Sequence, residues 1–473
     1  MGSLDSKCIF NYTQINSTTI KYFPKCSSVY GIIVINSNTD LLSYKLSNTF
    51  SKLEKLFGGV IIENSKFTSF DIFLPNLFVD CKHFGFYVRN NKELSDGNFL
   101  KFFNAEPMAD DMDCNLYVEN NPKLELEDLC YQDSFFGFTL IKTSGNLKEC
   151  GCQGDKITPS NLPEYSECAF LYNGLKLYNW TDLSSLSALS KVEFIRGNIQ
   201  IENTLLRNLS FLDNLSNWDI RYYQEMVFNL QNNSELISLP NSFFKAQSGF
   251  LISGAQRNPI MIGNIENVHP DFCVFIRQIL DIIENGLSFN NFQVQLCEDL
   301  SNVGSNILCH FKSMRELPNN CHIILGDVII DHGDEEDVTK LDDIRVIIGS
   351  LAIRNTELEN LNIIGSGTGL ALVSLNDSVP AIQIVGNKKL KSIFINNLQN
   401  LITRGKRDVV VQDNNPQFFK SGNSCELLSK DSLYKEIEYR TRANFIGEDC
   451  GGNGDLSVCL RLLDYSCTFR RTC

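Results

Sequence analysis

Seventeen cysteines in 473 residues are the side chains here best suited to chemistry. Thiols at that density serve metal ligation, redox exchange or disulfide cross-linking. No pair of CxxC motifs suggests a metal site. Only five histidines occur, His83, His269, His310, His322 and His332, and none has HExxH or similar ligand spacing. No metal and no cofactor is expected.

Spacing instead sorts most cysteines into a scheme that recurs three times. One pair precedes a first strand in each copy: Cys8 and Cys26, Cys152 and Cys168, Cys309 and Cys321. A second pair follows a late Asn-Pro turn: Cys130 and Cys150, Cys273 and Cys297, Cys425 and Cys450. The loops so closed are short and alike among copies, and each closure removes about 3 kcal/mol of denatured-state entropy. Cys81 and Cys114 remain inside the first copy, where they could staple neighbouring turns. Cys150-Gly151-Cys152 is then a junction whose sulfurs serve different bridges, not a redox pair. Cys459, Cys467 and Cys473 are an odd set, leaving one thiol for another chain or unpaired.

The elements that position these cysteines repeat with them. The first copy runs Pro24, Cys26, Gly31, Gly59, Asn121-Pro122, Cys130; the second Pro163, Cys168, Gly174, Gly197, Asn258-Pro259, Cys273; the third Pro318, Cys321, Gly326, Gly349, Asn415-Pro416, Cys425. One ancestral domain has been used three times. The Gly-led segments Gly31–Ile35, Gly59–Ile62, Gly197–Ile201, Gly326–Ile330 and Gly349–Ile353 read as short strands. Between them, apolar residues at every third position predict a helical turn over Phe50–Leu56, Leu186–Val192 and Val338–Ile344. Later come rungs ending in asparagine: Phe86–Val88 before Asn90-Asn91, Leu116–Val118 before Asn120-Asn121, Ile382–Ile384 before Asn387, and Val409–Val411 before Asn414-Asn415. Asparagine suits a corner because it tolerates left-handed backbone and its amide can bond a stacked neighbour. This rhythm is that of a solenoid, whose ends need caps.

Cys26–Ile35, Cys168–Leu177 and Cys321–Ile330 resemble the opening of the receptor L domain, the extracellular ligand-binding part of insulin- and EGF-receptor proteins. Leu341–Ile353 resembles its second signature, and Asn120-Asn121-Pro122 and Asn414-Asn415-Pro416 its late turn. The resemblance implies a mainly β fold with short helices: three tandem right-handed β-helix (solenoid) L domains, capped by disulfides. The expected domains are 8–151, a divergent 152–297, and 298–450, followed by a Cys-containing tail, 451–473. No Cys-rich furin-like module separates the copies, and no transmembrane helix or tyrosine kinase is present. In this the chain is similar to the kinase-less nematode insulin/EGF-receptor-like L-domain proteins.

A net charge of −14 argues against a nucleic-acid groove. Cysteine usage points to an oxidising compartment, so the chain is expected to be secreted or surface-tethered. Met1–Lys7 reaches Cys8 with no apolar signal region, which leaves a mature, trimmed or tagged start, or a misplaced one. No apolar run is long enough to span a membrane. Glycan acceptors occur at Asn11, Asn16, Asn179, Asn208, Asn214, Asn232 and Asn376.

Other motifs are weaker. Ile364–Gly369 resembles a phosphate loop but lacks its Lys-Ser/Thr, so it reads as a surface loop. Asp331–Asp337 clusters carboxylates that could hold Ca²⁺ or a basic ligand, although a solvated loop entering a helix explains it. Arg404, Lys406 and Arg407 form an R-x-K-R loop like a convertase processing site, or a plain basic loop. Phe84, Phe86, Tyr87 and Tyr117 could belong to a ligand face, though alternation sends Phe86 and Tyr87 to opposite sides. The expected function is non-catalytic binding of a peptide growth-factor-like ligand or a receptor ectodomain, as decoy, carrier or co-receptor. A structural or adhesion protein, disulfide-linked to a partner through a tail cysteine, is the alternative. A β-helix polysaccharide enzyme would need a carboxylate ladder that this sequence lacks.

Overall fold

The β-branched segments bounded by glycine and asparagine form strands, and every strand pairing with a defined register is parallel. The computed structural model describes residues 5–73, 77–81, 84–104, 114–126, 138, 140–149, 151–181, 184–219, 226–245, 261–298, 303–364, 370–376, 378–396, 398–417 and 444–446. The chain divides into two compact units. One holds residues 1–176, 185–199 and 214–224; the other holds 177–184, 200–213 and 225–473.

In the first unit the strands Ile9–Phe10, Ser28–Ile35, Lys55–Glu63, Phe86–Arg89, Asn115–Glu119 and Leu140–Ser144 lie side by side in chain order. Alternation sends Val29, Ile33, Ile35, Leu56, Val60, Ile62, Phe86, Val88, Leu116, Val118 and Ile141 into one core. Lys55–Glu63 serves two neighbours, with Lys55–Phe57 pairing to Leu77–Asp80 and Val60–Glu63 to Phe86–Arg89. It turns between them at Gly58, whose φ is +154°. A Cβ on Gly58 would lie 1.9 Å from the carbonyl oxygen of Gly31, so only glycine can stack there. The stacked pair is therefore Gly31 with Gly58. The third repeat stacks Gly326 and Gly349 alike, with a Cβ on Gly349 meeting the Gly326 oxygen at 2.2 Å.

The helical pieces are shifted from where the apolar spacing placed them. They are the α-helix Ser43–Phe50 and the 3₁₀ turns Ser184–Leu189 and Glu335–Leu341. Phe50, Leu53 and Leu56 are all buried, but they span a helix end, a turn and a strand start. A three-residue period recorded one continuous buried face across a change of structure.

In the second unit Met226–Asn233, Met261–Val268 and Leu287–Phe292 pair in that order. The third repeat carries two five-stranded sheets. One runs through Leu308–His310, Ile323–Leu325, Val346–Ile348, Leu370–Ser374 and Leu398–Thr403. The other runs through Val328–Ile330, Leu351–Arg354, Ile382–Val385, Asp408–Gln412 and Asn444–Ile446. Their apolar residues share a core with Cys309, Met314 and Cys321.

Disulfides join Cys8 to Cys26, Cys81 to Cys114, Cys152 to Cys168, Cys273 to Cys297 and Cys309 to Cys321, closing 18, 33, 16, 24 and 12 residues. The pairs expected for Cys130 with Cys150 and Cys425 with Cys450, and the tail cysteines Cys459, Cys467 and Cys473, lie outside the described residues.

The asparagines act in two rows. Asn64, Asn90, Asn120, Asn179, Asn203, Asn232, Asn267 and Asn355 take left-handed backbone at strand ends. The residues after Asn90, Asn120 and the left-handed Gly145 turn inward. There Asn91, Asn121 and Asn146 donate from Nδ2 to the oxygens of Ile62, Val88 and Val118 in the preceding strands, at 3.0, 3.0 and 2.8 Å. Their Oδ1 atoms accept from the backbone N–H of Ser65, Asn91 and Asn121. Asn387 and Asn414 repeat this on Ile353 and Ile384. Each inner amide thus satisfies both backbone groups that a buried corner would otherwise orphan.

Candidate functional site

A strand buried on one side offers only its alternate residues to a partner, and parallel register lines these up across neighbouring strands. On the first repeat this yields a continuous outer row. Val34 pairs with Ile61, Ile61 with Tyr87, Tyr87 with Tyr117, and Tyr117 with Lys142. All are half-buried. The Tyr87 and Tyr117 rings stack at 4.8 Å with 6° between planes. Gly85 makes room for this, because a Cβ there would come within 2.7 Å of the Tyr87 ring.

A second row, Glu63, Arg89 and Glu119, runs beside the first. Arg89 donates from Nε to Glu63 at 3.1 Å and lies over the Tyr87 ring at 5.0 Å. Lys142 reaches Glu119 at 3.3 Å. These pairs are partly exposed, so they orient side chains more than they stabilise the fold. The outcome is an aromatic-aliphatic strip edged by charges of both signs. Stacked aromatics with an adjacent arginine are the composition of binding hot spots.

The corresponding rows of the other repeats differ, and their Asn229, Asn264 and Ala352 are buried. In the second unit Glu202, Asn229, Asn264 and Asn291 form a line in which each amide Nδ2 donates to the preceding side chain at 2.7, 2.8 and 2.8 Å. That row is polar and bonded to itself. In the third repeat Ile329, Ala352, Gln383 and Val410 align, small and without aromatics.

Of the aromatics singled out in the sequence, Tyr87 and Tyr117 meet on this face. Phe86 is fully buried in the core, and Phe84 is exposed at the corner beyond the strand. Val34, Ile61, Glu63, Arg89, Glu119 and Lys142 were missed. Strand alternation carried through the register was the signal that would have found them.

The remaining candidates are placed as follows. Asn11, Asn179, Asn214, Asn232 and Asn376 are exposed, and Asn16 and Asn208 are half-buried. Asn232 lies in a surface chain, donating to Asn203 and accepting from Asn267, both at 3.0 Å. Lys406 is exposed but Arg407 is only 7% so, and a protease would have to draw it out from between two strands. Gly365–Gly369 lies outside the described residues.

Most of the acidic run is engaged locally. Asp334 accepts from the Asp331 N–H, Asp337 pairs with Lys340, and Glu335 accepts from the N–H of Gly333 and of Glu357. Partial burial works against charge on Glu335, but these N–H donors win and hold its carboxyl below the ordinary range. Asp281 goes the other way. Burial pushes its carboxyl up despite the neighbouring Arg277. Among the described residues no group of three or more His, Cys, Asp or Glu is arranged to hold a metal, and no helix is long and apolar enough to cross a membrane.

Three segments, residues 25–141, 167–254 and 320–427, match the model of the receptor L domain, together well over half of the chain. No curated protein and no solved structure gives a significant match.

Proposed function

The chain belongs to the receptor L domain family, an extracellular, ligand-binding and non-catalytic domain, and from that premise we propose that it binds a peptide ligand or a receptor ectodomain through the outer face of its first repeat. In this reading each of the three domains, 8–151, 152–297 and 298–450, coils as a right-handed β-helix. The protein then acts as decoy, carrier or co-receptor for that ligand, and its run of abutting L domains resembles that of the nematode insulin/EGF-receptor-like L-domain proteins.

The observation that carries the proposal is the Tyr87–Tyr117 stack held under Arg89. Two large rings, half-buried and already ordered, add contact area with little further loss of side-chain freedom. The amide row of the second unit and the row Ile329, Ala352, Gln383 and Val410 of the third repeat offer no such anchor.

The test is capture of peptides and ectodomains from a secretome by the oxidised chain, followed by Tyr87→Ala and Tyr117→Ala. Each substitution is expected to weaken binding by at least about tenfold, or 1.4 kcal/mol, while the melting temperature stays near that of the parent. Gln231→Ala, in the second unit, is the control. Unchanged affinity in both tyrosine variants would sink the assignment.

A further inference from the structure

Among the described residues, exposed apolar surface is unevenly distributed. Of the large hydrophobic residues left exposed, Ile9, Tyr12, Tyr22, Leu42 and Tyr44 all fall in the first 44 residues, at 42, 41, 53, 65 and 59%. Ring contacts and hydrogen bonds link the segments that bear them, in part through the buried Phe10, Phe23 and Phe50. Tyr12 stacks on Tyr22 at 5.1 Å, Phe10 meets Tyr12 and Phe23, and Phe23 packs edge-on to Phe50 in the helix that bears Tyr44. Ser17 donates from its N–H and hydroxyl to Asp40, at 2.7 and 2.6 Å, which joins the loop to the segment before Leu42. Among the described residues, the strand Ile9–Phe10 has a partner on one side only. Apolar surface beside an open strand edge invites self-association unless something covers it.

The loop itself carries glycan acceptors. Asn11 and Asn16 are the only glycan acceptors in the first repeat, and both stand in the Cys8–Cys26 loop that holds Tyr12 and Tyr22. Asn11 is exposed between Phe10 and Tyr12. Asn16 turns its Oδ1 to the N–H of Thr18 and of Thr19 and to the Thr18 hydroxyl, at 3.0, 3.1 and 2.6 Å. Among the described residues nothing accepts from its Nδ2, which is the atom a glycan needs.

We propose that Asn11 and Asn16 carry N-linked glycans, and that these sugars shield the apolar cap, the innermost ring on Asn11 lying against the stacked tyrosines. Attachment forms a bond from Nδ2 to the anomeric carbon of a lipid-linked glycosyl diphosphate. The anomeric C–O bond breaks, and one amide proton leaves with the diphosphate. The negative face of an aromatic ring then attracts the positively polarised C–H face of the sugar.

The test uses the full chain secreted from a glycosylating eukaryotic host. Peptide mass spectrometry should find both asparagines occupied. Thr13→Ala with Thr18→Ala removes both acceptors and keeps Asn11 and Asn16. By sedimentation velocity this variant should lose monomer to larger species at concentrations where the parent does not. Enzymatic deglycosylation of the parent should do the same without any substitution. Adding Tyr12→Ser, Leu42→Ser and Tyr44→Ser should restore the monomer, and removing the acceptor at Asn376 should change nothing. Unoccupied asparagines in the secreted chain, or a sugar-free chain as monodisperse as the parent, would overturn the proposal.

Discussion

Asn121 and Asn415 each precede a proline at the same point of their repeats, yet their side chains have different work. Asn121 is fully buried, accepts from the Asn91 N–H and donates to the Val88 oxygen. Asn415 accepts from the exposed Gln417 N–H, and in its repeat Asn414 takes the inward role, following Asp413 at φ +64°. Asn121→Ala would leave two buried backbone groups unpaired, a loss of about 2–4 kcal/mol. Asn415→Ala should stay within about 0.5 kcal/mol. Urea unfolding of both variants checks the pair, and equal losses would show that the ladder is not where the stability lies. The sequence shows that asparagines mark the corners. It cannot show which of two adjacent asparagines turns inward, because that depends on the register with the next strand.

At the scale of elements, the glycine corners and the loop after Val328–Ile330 behave oppositely. Gly58→Ala sets a methyl against a backbone oxygen with no side chain to yield, so loss of the secreted, folded chain is expected. Gly333 has φ +95° but open space around it, so Gly333→Ala should cost only the left-handed strain of about 1–2 kcal/mol. Comparing secretion yield and melting temperature of the two variants separates contact from strain. Glu335, in the same loop, supplies a pH signal. Its folded carboxyl titrates below the ordinary 4.5, so between the two values the unfolded chain binds more protons than the fold. The contribution is therefore complete above that ordinary value and is lost as pH falls through the depressed one. Amide protection at Gly333 and Glu357, relative to the intrinsic exchange rate, should fall in that acid window, and Glu335→Gln should flatten the response. The strands themselves were legible, since β-branched runs between glycine and asparagine leave little choice. The helices were misplaced because buried positions kept one period across a helix end and a strand start.

At the scale of the whole molecule, three copies of one domain were legible from cysteine and glycine spacing, and the family match falls on the same three stretches. The proposed binding face was not legible in full. Charged Arg89 and Glu63 look like ordinary surface until register lays them beside Tyr87. Disulfide removal can be predicted at this scale as well. Cys309→Ser with Cys321→Ser opens a 12-residue loop whose cysteines pack in the third repeat's core. It should cost about 2–4 kcal/mol in thermal or urea unfolding, and an unchanged midpoint would mean that the loop is held by packing alone.

The core of the first repeat also contains Phe170 and Tyr172, which lie beyond the Cys150-Gly151-Cys152 junction. The Tyr172 and Thr143 hydroxyls are hydrogen-bonded at 2.7 Å, and Asn173 donates to the Ile141 oxygen at 2.7 Å. What was duplicated and what can stand alone are therefore different lengths of chain. A fragment cut at Gly151 ends at the boundary expected from the sequence, and it would bare the last strand of its own sheet. One carried through to Asn173 keeps that strand covered, and it is the shorter piece of this protein worth trying to isolate.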